Sequence, residues 1–172
     1  LGSTLSAVGR SAEAEELFAS AIEACSRLAE AEPNNPRYLD GRAAFRLDRA
    51  FDLRNLGRFR DAETEYVSAI QEYDRLAQEY PEFRWYSVNR AIGRHALASL
   101  LNVSGRNKEA LDRLLETIQD WRTQEDTRGA TDDTQKGQAT SGALAGQVLI
   151  ELGRRDEAEQ ILQIRILVVQ RD

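Results

Sequence analysis

Apolar residues recur along most of this chain at the three- and four-residue spacing of a helix with one buried face. Ala62, Tyr66, Ala69, Ile70 and Tyr73 form one such series, with charged and polar residues between them. Runs of β-branched residues are nearly absent before the C-terminus, and prolines occur only at 33, 36 and 81. Ala, Leu, Glu, Arg and Gln dominate, and all are good helix formers. The pattern predicts an all-α protein. A first helix ends within residues 1–8, and others span about 11–31, 37–55, 59–79, 84–103, 107–125, 137–152 and 154–170. The stretch 123–140 holds no large apolar residue, so it is expected to be a frayed, mobile loop.

The series repeats. Gly9, Gly57, Gly105 and Gly153 stand 48 residues apart, and each is followed by Arg. Leu5, Leu53, Leu101 and Leu149 precede these glycines by four positions; Ala14, Ala62, Ala110 and Ala158 follow them by five. Phe18, Tyr66, Leu114 and Leu162 occupy the next matching position, and Ile22, Ile70, Ile118 and Ile166 the one after. A fixed period of this size means stacked supersecondary units. Gly supplies a left-handed residue that ends one helix and turns into the next. An acid then follows near the positive end of the new helix (Glu13, Asp61, Glu109, Glu157). The Ala is small enough for two helices to approach, and its counterparts Ala50, Ala98 and Gly146 are small as well.

The signature Leu53, Gly57, Asp61-Ala62, Tyr66 and Ala69 resembles the tetratricopeptide repeat, and the resemblance covers essentially the whole chain. It implies helical hairpins stacked into a right-handed α-solenoid. The period departs from the family's usual 34 residues, which implies roughly two extra turns per helix. The repeats divide as 1–33, 34–81, 82–129 and 130–172. Long-helix arrays of this kind look like those attached to bacterial serine/threonine protein kinases, although the kinase signature motifs are absent here. The chain lacks Met and opens inside a repeat, so it is expected to be a piece of something longer.

Composition narrows the function. A net charge of −6 weighs against nucleic acid as a partner. The lone Cys25 can form no internal disulfide, and its position matches Tyr73, Trp121 and Val169, so it is expected in the core. The segment "ILQIRILVV" is too short to span a bilayer. No signal peptide is evident, and a cytoplasmic location is expected. The only histidine, His95, has no supporting metal-ligand spacing. Paired carboxylates such as Glu15-Glu16 and Asp132-Asp133 fall on expected wet surfaces, so neither catalysis nor a cofactor or metal is expected.

The charge is unevenly spread. The segment 37–55 carries five arginines against three aspartates, whereas 59–79 carries two arginines against six acids. In the family the first helices line the inner surface, so the resemblance implies a basic groove. Arg42 matches Arg90 and Arg46 matches Arg94, and members of each helix pair are four apart on one face. Two readings of these arginines stay open at this point. They hold neighbouring helices together, or they receive an acidic or extended peptide, for which Arg is suited. The groove candidates are Arg42, Arg46, Phe51, Arg54, Arg90, Arg94, His95, Ser99 and Asn102. Tyr38 and Tyr86 are expected to close helix ends, while Trp85 is left open between closure and binding. The function expected is a protein-interaction module, the alternative a structural or regulatory segment with no peptide of its own. Ile164, Leu167 and Val168 make the C-terminal helix apolar nearly all round, which predicts contact with a further repeat or a homodimer.

Overall fold

The computed structural model describes residues 11–169, with side chains from 13 to 162. Leu5 and Gly9, and the side chains of Ile164, Leu167 and Val168, lie outside the described residues, and so does the contact expected of them. The described chain is all-α, with seven helices and no strand. They are α1 (Ser11–Ala31), α2 (Pro36–Asn55), α3 (Phe59–Glu79), α4 (Arg84–Val103), α5 (Asn107–Arg128), α6 (Asp132–Glu151) and α7 (Arg155–Val169). Contacts divide the chain into two compact modules, Leu1–Gly93 and Arg94–Asp172, with the division inside α4.

In the N-terminal module α2 packs against both α1 and α3. Ala43, Ala69, Tyr73, Leu76 and Tyr86 form its core, bordered by Leu39, Leu47, Tyr80 and Phe83. In the C-terminal module α6 packs against α5 and α7. There Ala98, Leu111, Leu114, Ala145, Val148, Leu149 and Ala158 are buried together. The small residues expected at helix crossings are among the most buried in the protein: Ala50, Ala62, Ala98 and Ala110 expose no surface.

The repeated Gly-Arg pair builds one turn three times. Gly57, Gly105 and Gly153 have φ of 76°, 77° and 76°, a region that costs other L-residues about 1–2 kcal/mol. In each turn the Gly N–H donates three residues back, to Arg54, Asn102 or Ile150 at 2.9–3.0 Å. The following Arg N–H donates to the carbonyl of the repeat Leu, Leu53, Leu101 or Leu149, at 2.8–2.9 Å. This pairing satisfies carbonyls that a helix end leaves orphaned, and the repeat Leu itself is buried. The same Arg starts the next helix, its carbonyl accepting the N–H of Ala62, Ala110 or Ala158. Its side chain forks onto the acid three residues on. Arg106 Nε and Nη2 donate to Glu109 at 2.8 and 2.6 Å, and Arg154 holds Glu157 at 2.7 Å through both nitrogens.

The third connection differs from expectation. Residues 123–140 are not a frayed loop; helices run to Arg128 and resume at Asp132, leaving 129–131 between them. Gly129, at φ 81°, ends α5. Thr131 and Thr134 then exchange side-chain and backbone hydrogen bonds, a capping box with Thr in place of the usual acid or amide. The polar segment is ordered by packing that hydropathy does not report. Trp121 is 2% exposed and lies directly on Gly137, where an added Cβ would sit 2.3 Å from the indole Cε2. The absence of a side chain at Gly137 is thus what admits the ring.

Gly137→Ala is therefore expected to destabilise the fold by about 1–3 kcal/mol despite the better helix propensity of Ala. Urea unfolding followed by indole fluorescence checks this, and a more stable variant would contradict it. The turn arginines make a second expectation. Hydrogen bonds from Arg106 and Arg154 hold the Glu109 and Glu157 carboxyls below the ordinary glutamate range. The sign is that of a depressed acid: the pairing supports the fold above the unfolded pKa and is lost as pH falls through the folded one. A carboxyl NMR titration should show Glu109 returning toward the ordinary range in Arg106→Gln, with Glu157 unmoved.

Candidate functional site

The repeated arginines rise from α2 and α4, where four-residue spacing places each pair on one side of its helix. In the N-terminal module they meet the acids of α3, while Arg49 and Arg58 also reach Glu15 of α1. Arg42 Nε donates to both Glu72 carboxylate oxygens at 3.0 and 3.1 Å, and its Nη1 reaches Ser26 Oγ at 3.2 Å. Arg46 Nη1 donates to Glu65 at 2.9 Å, while its Nε lies 3.3 Å from Glu72. Arg49 joins the other Glu65 oxygen at 2.9 Å and approaches Glu15 at 3.8 Å. Arg58 donates to Glu15 at 2.7 Å and to Asp61.

These contacts make one chain of alternating sign: Asp61, Arg58, Glu15, Arg49, Glu65, Arg46, Glu72, Arg42. Four guanidinium groups meet four carboxylates, so the network carries no surplus charge. Its centre is sheltered, with Glu65 and Glu72 side chains 12% and 15% exposed and Arg42, Arg46 and Arg49 at 23–26%. Charges in such a setting are screened less than surface pairs, and a partner removed there leaves the other poorly solvated. The Nε atoms of Arg46 and Arg49 are buried without a hydrogen bond, so matching is complete in charge and incomplete in geometry.

The repeat carries part of this pattern into α4. Arg90 Nη1 reaches back to Asp74 on α3 at 3.3 Å, as Arg42 reaches back to Ser26 on α1, one period earlier. In the C-terminal module Arg94 pairs with Asp120 on α5, in the register of Arg46 with Glu72. Each of the four repeated arginines is therefore bound to at least one carboxylate of a second helix. Arg42, Arg46 and Arg90 belong to the N-terminal module and Arg94 to the C-terminal one.

The remaining candidates occupy unlike settings. Phe51 is 51% exposed on α2, and Arg54 sits half-buried in that helix's last turn. His95 is not a metal ligand in any cluster; its Nδ1 lies 3.2 Å from Oγ of the buried Ser141. Ser99 and Asn102 are half-buried, and the Asn102 side-chain oxygen is buried without a hydrogen bond. Cys25 is half-buried rather than fully in the core, and burial raises its thiol pKa. Among the described residues no group of three or more His, Cys, Asp or Glu could hold a metal, and no helix is long and apolar enough to cross a membrane.

Sequence reasoning missed two features. One is the role of Arg49, which has Leu97 one period later and so gave no repeat signal. The other is Asp40. Burial raises its carboxyl pKa even though it accepts hydrogen bonds from the Tyr73 and Trp85 side chains. The Trp85 indole packs on Phe83 with centroids 4.6 Å apart and remains 48% exposed. Tyr86, by contrast, is 2% exposed and closes the helix end as expected.

No protein-family model matches the chain, and neither a curated protein nor a solved structure matches it.

Glu65 is the point at which the network is most exposed to substitution, because it serves two arginines. Glu65→Gln should cost about 1–3 kcal/mol, the range for a buried polar group that loses a partner, since the amide oxygen still accepts from one arginine. Glu23→Gln, which breaks the surface pair with Arg27 (side chains 68% and 69% exposed), should cost under about 0.5 kcal/mol. Equal losses in chemical denaturation would refute the ranking.

Proposed function

We propose that this chain is a non-enzymatic helical-repeat segment, a tetratricopeptide-like α-solenoid of long helices, whose role is structural or regulatory within a larger assembly. In this reading it holds other domains or proteins in place, and its repeated arginines clamp neighbouring helices. The observation that carries it is the pairing of Arg42, Arg46, Arg90 and Arg94 with second-helix carboxylates. An acidic peptide would have to displace those carboxylates, so little attraction is left over for it. The equivalence of the three Gly turns supports the repeat reading, since like turns generate like hairpins.

A second reading keeps a peptide ligand but changes its chemistry. Phe45 and Phe51 on α2 and Trp85 and Ile92 on α4 are 36–51% exposed within the N-terminal module. Exposed apolar side chains of this kind favour an extended segment recognised by apolar rather than acidic groups.

Charge reversal separates the readings. Arg46→Glu and Arg94→Glu place a carboxylate against Glu65 and Glu72 or against Asp120, so under the structural reading each lowers the melting temperature. A chain of this size shifts by about 2–4 °C per kcal/mol. The unmodified protein should show no measurable affinity for acidic or phosphorylated peptides at low salt. Tight binding of such peptides, abolished by either substitution with an unchanged melting temperature, would overturn the proposal.

A further inference from the structure

The 48-residue period sets each buried position of the C-terminal module beside a counterpart in the N-terminal one. Two contacts recur across it. A Cβ added at Gly93 would lie 3.2 Å from Leu47 Cδ2, and one period later Ser141 Oγ lies 3.2 Å from His95 Nδ1. Tyr73 reaches Asn89 as Trp121 reaches Gly137. The two sites are thus one place in the repeat, but their chemistry is opposite. In the N-terminal module Ala69, Tyr73, Leu76 and Tyr86 are buried together, with Leu47 and Phe83 at the border. Their counterparts are Thr117, Trp121, Gln124 and Thr134, then His95 and Thr131. Burial is kept: Thr117 and Thr134 expose no surface, and Gln124 only 7%. Thr117 donates back to the Arg113 carbonyl at 2.7 Å, and Thr134 is held in the capping box. Trp121 and Gln124 are not satisfied. The indole N–H and both side-chain amide atoms of Gln124 are buried without a hydrogen bond. The Tyr73 hydroxyl has Asn89 at 3.4 Å, but Gly137 stands in that place for Trp121 and has no side chain to offer. Leu76, in the place of Gln124, needs no partner.

Opening this place has different consequences in the two modules. In the N-terminal module it wets Tyr73, Leu76 and Tyr86, which opposes opening through the hydrophobic effect. In the C-terminal module it wets one indole and otherwise polar side chains, and three orphaned atoms gain water as a partner. The base of the same hairpin has no such weakness, because Leu111, Leu114, Val148 and Leu149 are buried there in an apolar cluster. We propose that the tip of the α5–α6 hairpin, residues 117–141, is a releasable segment. It opens and recloses as a unit while the apolar base of the module stays folded, and the matching stretch 69–93 stays shut. The closed form is the ordered one described above. The open form frees Trp121 from Gly137 and unwinds the polar run TQEDTRGATDDTQ (123–135). The C-terminal module thereby has a second conformation that a partner could select, and the N-terminal module does not.

Native-state amide hydrogen exchange of the full chain, read by NMR, tests this. Amides of 117–141 should show protection about a hundredfold below that of the matched amides of 69–93. Trypsin under native conditions should cut after Arg122, Arg128 and Lys136 before it cuts after Arg75 or Arg84. Thr117→Ala plus Gln124→Leu brings in the residue types of positions 69 and 76, and should raise protection across the tip by about tenfold. Should that double variant fail to fold, Leu76→Gln supplies the converse: protection falls across 69–93 and is unchanged across 117–141. Equal protection of the two stretches in the unmodified chain, or a tip that the double variant leaves unchanged, would overturn the proposal. Exchange of the base amides, 108–116 and 142–150, at the rate of the tip would also overturn it, because the module would then open whole. So would slow exchange at the tip with nuclear Overhauser contacts from the Trp121 indole N–H to a bound water, which means a closed tip satisfied by solvent.

Discussion

The left-handed turn at Gly57, Gly105 and Gly153 is the constraint on which the other local contacts depend. Its two hydrogen bonds stop one helix at the repeat Leu and start the next at the repeat Arg, with no slack between them. That fixes how far along the second helix the small residue falls, and so brings Ala62 or Ala110 fully out of solvent. Close approach of helices then shortens the reach between their polar flanks. Arginines on α2 can meet glutamates on α3 because the turn has already set the register between these helices.

The alternating ion chain is what that register makes available. Sheltered charges need matched partners, and here the match runs across three helices rather than along one. Its centre is partly hidden from water, which separates it from exposed pairs such as Arg27 with Glu23. The same pairing changes the meaning of a basic helix. Counted along α2 the charge is positive, but counted in space Arg42, Arg46 and Arg49 are neutralised by neighbours 16 to 30 residues away. An excess along one helix is thus a poor guide to the field a ligand would meet.

The polar segment around Gly137 makes a related point about order. Helix formation there does not draw on a large apolar stripe. Thr131 and Thr134 satisfy each other at the helix start, Gln138 binds Glu125 at 2.8 Å, and the Trp121 ring covers a glycine. One large side chain seated on a bare backbone supplies the burial that several leucines provide elsewhere.

Much was legible along the sequence because it is local or periodic. Helices 59–79 and 84–103 agree with the structure at both ends, since cap residues, glycine turns and apolar spacing act within a few residues. The turn glycines and small crossing residues were legible because four copies in register expose what one copy conceals. The fate of Arg42, Arg46, Arg90 and Arg94 was not, because it turns on which carboxylates lie across the helix interface, and both readings fit the same spacing. Nor was the order of 123–140, because hydropathy scores Gly137 as a breaker and cannot see the indole that occupies its empty space. The sequence by itself determined helices, turns and period, which follow from backbone sterics and nearest neighbours. Only the tertiary structure decided which charges cancel and which ring fills the space over Gly137, because desolvation and pairing depend on groups that meet only after the helices pack.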